Sequence, residues 1–278
     1  MRGKALFLAP ALAGAAFLCF ALPTLSIAQL TPEELARRPD WETFLKKAKI
    51  VDAVGLGEGV TKPRRMTLRR GDVEHLGVWK SPSGPGAGLT DKWECEIAAY
   101  HLDKLLGLGM VPPTVQKSYR GRKGSLQLWV TLGASELDRT REDIPYPPGK
   151  TRHIERMQYL QRAFDSLIAN SDRTLQNIRW TPDWRLVLID HSRAFRHGPM
   201  HTGKLIYGKY GMQTERRFLE LPRAFVERIR GLTFEKIRKA VDFYLSFEEI
   251  EAVLVRRDIL LKEIDELVAE RGEAAVLY

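Results

Sequence analysis

The chain has 278 residues, with 44 Lys+Arg against 35 Asp+Glu, 44% hydrophobic residues and two cysteines. Those figures exclude a disordered chain, a collagen and a disulfide scaffold, and suit one two-lobed domain or two small ones. The net charge of +9 favours anionic partners, whether nucleic acid, anionic lipid or polyphosphate, without choosing among them.

At the N-terminus Arg2 and Lys4 precede an apolar run over residues 5–28, broken at Pro10 and Pro23. The uninterrupted core, residues 11–22, fits a signal peptide better than a full membrane span. Ser26 and Ala28 supply small residues where a signal peptidase reads, so cleavage is expected before Gln29. That would make the folded part extracytoplasmic, periplasmic or secreted. The rival reading is an uncleaved anchor, because Arg37, Arg38, Lys46, Lys47 and Lys49 outnumber the upstream charges and would hold the domain in the cytoplasm. Removing residues 1–28 takes two basic and no acidic residues, leaving 42 against 35, a net of +7. Cys19 lies in the apolar run outside any lipobox, so Cys95 is then alone and no internal disulfide forms.

Leu35, Trp41, Phe44, Leu45 and Ala48 recur at helical spacing over residues 29–50 and predict a short amphipathic helix. Residues 50–80 read as strands: Ile50-Val51, a Gly55-x-Gly57-x-Gly59 stretch, Met66-Thr67-Leu68, then Leu76-Gly77-Val78-Trp79-Lys80. Residues 81–88 read as a Ser/Pro/Gly loop. A helix is predicted over 91–106, with Cys95, Ala98, Ala99, Leu102, Leu105 and Leu106 on one face and Gly107 and Gly109 as its stop. Residues 114–132 predict a hairpin turning at 121–124. The charged, proline-rich stretch 138–150 reads as a connector between lobes. Ile154, Met157, Leu160, Phe164, Leu167 and Ile168 mark a strong helix, and beyond residue 200 the chain reads as mostly helical, ending on a long helix over 250–269. A strand-rich first half and helical second half predict an α+β protein in two lobes, with an N-lobe of about 45–137 and a C-lobe of about 150–278.

The chemistry concentrates in Asn170-Ser171-Asp172-Arg173-Thr174-Leu175-Gln176-Asn177 and the following segment to Asp190. Thr181-Pro182-Asp183-Trp184 has the Pro and Asp of a type I turn, so its apolar flanks should pair as a hairpin. Asn177 precedes the first strand and Asp190 follows the second, which places both at the open end. An amide oxygen and a carboxylate there suit Mg²⁺, which takes a few hard oxygens from protein and the rest from water and phosphate; Mn²⁺ is the alternative ion. Asp172, five residues before Asn177, is near enough to take a proton from an approaching hydroxyl.

Asp, Asn five residues on and a second Asp after a short hairpin is the spacing of the protein-kinase-like catalytic core. The wording, Asn-Ser-Asp-Arg, then Asn177 and Trp180, then Leu-Ile-Asp-His-Ser-Arg-Ala-Phe, resembles the atypical branch. That branch includes type II phosphatidylinositol 4-kinases, phosphoinositide 3-kinases and the secretory-pathway kinases. The resemblance, which covers residues 50–195, implies a two-lobed kinase-like fold with ATP and Mg²⁺ as cofactors. By it, Lys80 is the phosphate-binding lysine, Glu96 the helix glutamate that pairs with it, and Val78 an adenine contact. Gly55, Gly57, Gly59 and Lys62 belong to the phosphate-covering loop, Asp172 is the catalytic aspartate that takes or orients the acceptor proton, Asn177 and Asp190 are the metal ligands, and Arg173 braces the catalytic loop.

Taken singly these are ordinary residues: a loop acid, a strand-end lysine, a glycine turn. Their order along the chain is what points to phosphoryl transfer to a hydroxyl of a lipid, sugar or protein. Three departures stand out. Thr174 replaces a histidine of the phosphoinositide 3-kinases, His191-Ser192 replaces the usual Phe-Gly after the metal Asp, and the segment after Arg196 is too short for a peptide platform. The other readings are a catalytically silent kinase-fold module that binds nucleotide or a partner, and transfer of AMP by the same fold. The six histidines lack metal-ligand spacing, and one Arg216-Arg217-Phe218 cluster is poor support for nucleic acid. Membrane association through the N-terminal segment or the basic surface stays open.

Overall fold

The structure, a computed structural model, describes residues 29–57, 62–86 and 89–278. The expected leader, Gly59 and two residues of the 81–88 stretch lie outside them. The chain opens with two short helices, α1 (Pro32–Ala36) and α2 (Arg38–Lys47), in place of the one predicted. Pro39 at the start of α2 explains the break, since proline is favoured in a first turn and lacks the N–H that a continuous helix would use there.

Strands β1 (Lys49–Gly55), β2 (Arg64–Arg70) and β3 (Val73–Lys80) follow as an antiparallel meander. Gly71, with φ +58°, sits first in the two-residue β2–β3 turn, where a hairpin of right-handed twist needs a left-handed residue. Residues 83–92 correct an expectation. The glycine-rich stretch read as a loop is a hairpin, β4 (Ser83–Gly86) paired with β5 (Leu89–Lys92). Helix α3 (Trp93–Leu106) ends on Gly107 in the left-handed conformation, where a Cβ would run into the Arg228 guanidinium.

Strands β6 (Thr114–Tyr119) and β7 (Arg122–Leu128) complete a five-stranded sheet in the order β1-β2-β3-β7-β6. Their turn is Arg120-Gly121, both at positive φ, and not 121–124 as expected. Gly124 lies inside β7 instead, where a Cβ would collide with the Lys80 carbonyl and the Trp79 indole. Phe44 and Leu45 of α2, Met66, Leu68, Trp79, Val115 and Leu126 close the core of this sheet.

The stretch expected as a connector starts with helix α4 (Glu136–Arg141), whose Ser135 and Asp138 form a capping box. Glu136 accepts hydrogen bonds from the Trp180 indole (2.9 Å) and the Tyr146 hydroxyl (3.0 Å), tying α4 to the helical lobe. That lobe comprises α5 (Thr151–Leu167), the hairpin β8 (Ile178–Trp180) and β9 (Leu186–Leu188), and α6 (Pro199–Thr202). Two short parallel strands follow, β10 (Leu205–Tyr207) and β11 (Gly211–Gln213), then α7 (Arg223–Arg230), α8 (Phe234–Val241), α9 (Phe247–Arg271) and α10 (Glu273–Val276). Every apolar position that predicted α5, from Ile154 to Ile168, is buried.

One packing choice bears on the site. Helix α3 follows the sheet in sequence, yet Cys95, Ala98, Ala99, Tyr100, Leu102 and Leu106 belong to the helical core with Leu160, Phe164 and Ile237. Ion pairs fasten it at both ends, Lys92 to Glu249 of α9 at 2.6 Å and Asp103 to Arg38 of α2 at 3.2 Å. Among the described residues no helix is long and apolar enough to cross a membrane.

Candidate active site

The cleft is built where β3, α3 and the two ends of the β8–β9 hairpin meet. Strand alternation sends Gly77 and Trp79 into the sheet core and leaves Val78 and Lys80 on the other face, as expected. The Lys80 ammonium reaches Glu96 Oε1 at 2.7 Å and Asp190 Oδ1 at 2.8 Å. Burial alone would push the lysine pKa down, but the two carboxylates outweigh it and raise it above the ordinary range. For Glu96 burial raises the pKa, and Lys80 and His191 more than reverse that, holding the carboxyl ionised well below the ordinary range.

Asn177 and Asp190 stand side by side at the open end of the hairpin, joined by the Ile189 N–H to the Asn177 carbonyl at 3.2 Å. The Thr181 turn closes the other end, with the Trp184 N–H donating to the Thr181 carbonyl at 2.9 Å. Asp190 adopts φ +61°, a left-handed conformation that costs a non-glycine residue on the order of 1 kcal/mol and is found where function holds it. Ala169 and Phe195, flanking the 170–177 loop and the segment after Asp190, share it at +49° and +59°. Asp172 is 44% exposed at the cleft mouth, with Oδ2 3.0 Å from Arg193.

Arg173 is the hub beneath them. It forms a two-pronged ion pair with Asp165 of α5 (2.9 and 3.0 Å) and donates to the carbonyls of Asn177 (3.1 Å) and Ile189 (2.6 Å). One guanidinium thus fixes the backbone at Asn177 and next to Asp190, the two candidate ligand positions. Its Nη2 also meets His191 Nε2 at 2.9 Å. A guanidinium only donates, so Nε2 accepts and the neutral ring carries its proton on Nδ1, 3.8 Å from Glu96. Burial lowers the His191 pKa, consistent with that neutral form. The His191 backbone N–H donates to Glu96 Oε2 at 3.0 Å. A continuous polar chain, Lys80, Glu96, His191, Arg173, Asp165, therefore crosses from one lobe to the other.

Gly55 ends β1, Gly57 has φ +70°, and a Cβ on either would meet open space. Lys62 is exposed with φ +48°, just before β2. Both flanks thus stand at the β1–β2 connection expected to cover phosphates, and among the described residues no side-chain hydrogen bond joins them to the cleft.

The residues fit a hard cation. Among the described residues, neither the Asn177 side chain nor Asp190 Oδ2 makes a hydrogen bond, while Asp190 Oδ1 is taken by Lys80 and the Ser192 hydroxyl (3.3 Å). No three His, Cys, Asp or Glu side chains gather into a metal cage among the described residues. A divalent ion here would rest on Asn177, Asp190 and oxygens of water or phosphate.

Sequence reasoning did not single out Asp91, Asp165 or Arg193, and marked Ser192 only as a departure from the usual residue after the second Asp. An acid on the apolar face of a predicted helix was the available signal for Asp165, because a charge there requires a buried partner. The other three carry no comparable signal.

Comparison with known proteins agrees at the level of fold. No family model matches the chain, and no curated protein matches it by sequence. Among solved structures it is similar to hydra Fam20, solved with sugar, at a TM-score of 0.64 and 15% identity, over 89% of this chain and 93% of that one. The α+β, two-lobed kinase-like architecture expected from the motif order is thus the architecture found, shared at the level of fold with hydra Fam20.

Proposed function

We propose that this chain is an ATP- and Mg²⁺-dependent phosphotransferase acting on a hydroxyl acceptor. The observation that carries the reading is that the Lys80 ammonium lies 2.7 Å from Glu96 and 2.8 Å from Asp190, beside Asn177 and Asp172. Lys80, kept charged and aimed by Glu96, would bind nucleotide phosphates, with Val78 against the base. Asn177 and Asp190 would hold the cation, which neutralises charge on the phosphate oxygens. Asp172 would orient the acceptor hydroxyl and take its proton. Among lipid, sugar and protein acceptors a sugar comes first, because the similar Fam20 structure was solved with sugar. Cleavage before Gln29 would place this activity outside the cytoplasm.

The test is turnover of ATP by the full chain with Mg²⁺ or Mn²⁺, with mass spectrometry of acceptor products. Asp190→Ala should cut turnover on the order of a thousandfold, the scale for losing a preorganised electrostatic contact. Nucleotide-dependent thermal stabilisation should accompany wild-type activity. Wild-type turnover in both Asp190→Ala and Asp172→Ala would sink the assignment. Stabilisation by nucleotide without turnover would identify a silent module, and an added AMP in place of phosphate would identify nucleotide transfer.

A further inference from the structure

The hairpin β4–β5 ends beside the metal motif, and its last carboxylate does not face solvent. Asp91 is 4% exposed. Its Oδ1 accepts from the Ser192 hydroxyl at 2.8 Å and from Arg193 Nε at 3.0 Å, and its Oδ2 from Arg193 Nη2 at 3.4 Å. The backbone is joined too, with the Lys92 N–H donating to the Ser192 carbonyl at 2.9 Å. Beyond Asp91 the same two side chains continue to the cleft. The Ser192 hydroxyl lies 3.3 Å from Asp190 Oδ1, and Arg193 Nη1 donates to Asp172 Oδ2 at 3.0 Å.

We infer that Asp91, acting through Ser192 and Arg193, is a positioning residue that sets both Asp190 and Asp172 for phosphoryl transfer. The inference rests on the phosphotransferase reading above. Asp172 has no other side-chain hydrogen bond among the described residues, so Arg193 alone orients it. Because Arg193 uses only Oδ2, the second oxygen is left for an acceptor hydroxyl. Arg193 itself stands near a carboxylate base and the expected place of nucleotide phosphates. Without Asp91 to hold Nε and Nη2, its guanidinium would be drawn onto those phosphates and Asp172 would lose its orientation. An ion pair serving stability alone would end at Asp91 and Arg193, both largely buried. This one extends to an acid that is 44% exposed.

The experiment measures intrinsic ATP hydrolysis by the full chain with Mg-ATP, water serving as acceptor, in wild type, Asp91→Asn, Arg193→Gln and Arg193→Lys. Asp91→Asn and Arg193→Gln should lower kcat by about ten- to a hundredfold, the range for removing the support of a functional ligand. KM for ATP should stay within about twofold, since the phosphate-binding Lys80 is untouched. Arg193→Lys should recover part of kcat, because an ammonium can still reach one carboxylate. Should Asp91→Asn fail to fold, Arg193→Gln, nearer the cleft, carries the test. Wild-type kcat in both variants, or a raised KM with kcat unchanged, would overturn the inference and leave phosphotransfer standing. A wild-type chain with neither turnover nor nucleotide binding would overturn both.

Discussion

Asp190 divides the site into two sides built on different terms. On the inner side lie Glu96, His191, Arg173 and Asp165, each at most 3% exposed at its side chain and each engaged by the next. On the outer side the Asp172 side chain is 44% exposed and that of Asp190 34%, and the Asn177 side chain makes no hydrogen bond among the described residues. Charges buried on the inner side lack water, so removing one leaves its partner without compensation. Charges at the mouth keep water as a partner, so their loss is felt in chemistry more than in folding. The inner side is the frame and the outer side the working edge. Helix α3 belongs with the frame, because its core face packs among the helices of the second lobe and Glu96 moves only with that core.

The largest effect expected from this contrast is on Arg173. Arg173→Met strands Asp165 in the interior and frees the carbonyls of Asn177 and Ile189, and should cost about 3–5 kcal/mol in a urea melt. A loss below about 1 kcal/mol would deny the inner chain its structural role. Glu96 offers an intermediate effect through pH. Its folded pKa lies below its ordinary value of 4.5, so its ion pair contributes fully above that pH and the contribution is lost as pH falls below it. Between about pH 6 and about pH 3, stability of the wild type should therefore fall more steeply than that of Glu96→Gln. Parallel acid limbs would show that Lys80 does not hold this carboxyl ionised. The smallest effect is on the working edge. Asp172→Asn should change folding stability by no more than about 0.5 kcal/mol, since Arg193 keeps Asp91. A loss above about 2 kcal/mol would move Asp172 into the frame and erase the contrast.

Much of this was legible in the residues because the governing signals are local. Thr181-Pro182-Asp183-Trp184 is a turn wherever it stands, and it brings Asn177 and Asp190 together without help from the rest of the fold. Alternation along β3 put Val78 and Lys80 on one face, and helical spacing around Glu96 gave α3. Two misreadings were local as well. Ser135 and Asp138 carry a capping signature that the charged composition of 138–150 obscured. The 83–92 hairpin was masked by its glycines, because backbone pairing can hold such a strand with little side-chain pattern.

Composition, turn chemistry and periodicity by themselves determined the two lobes and the placing of Asn177 and Asp190 at one end of a hairpin with Asp172 just before it, and the resemblance to the kinase-like core added Lys80 and Glu96. Apart from the Lys80–Glu96 pair, which the resemblance implied, only the tertiary structure decided which charges pair. It gave Lys80 two carboxylates, set Arg173 on Asp165, and let Asp91, 101 and 102 positions from Ser192 and Arg193, reach both. A strand or helix repeats and so announces itself along the chain. An ion pair is a single choice among many equivalent charges, made by burial and by which backbones the packed core brings within 3 Å.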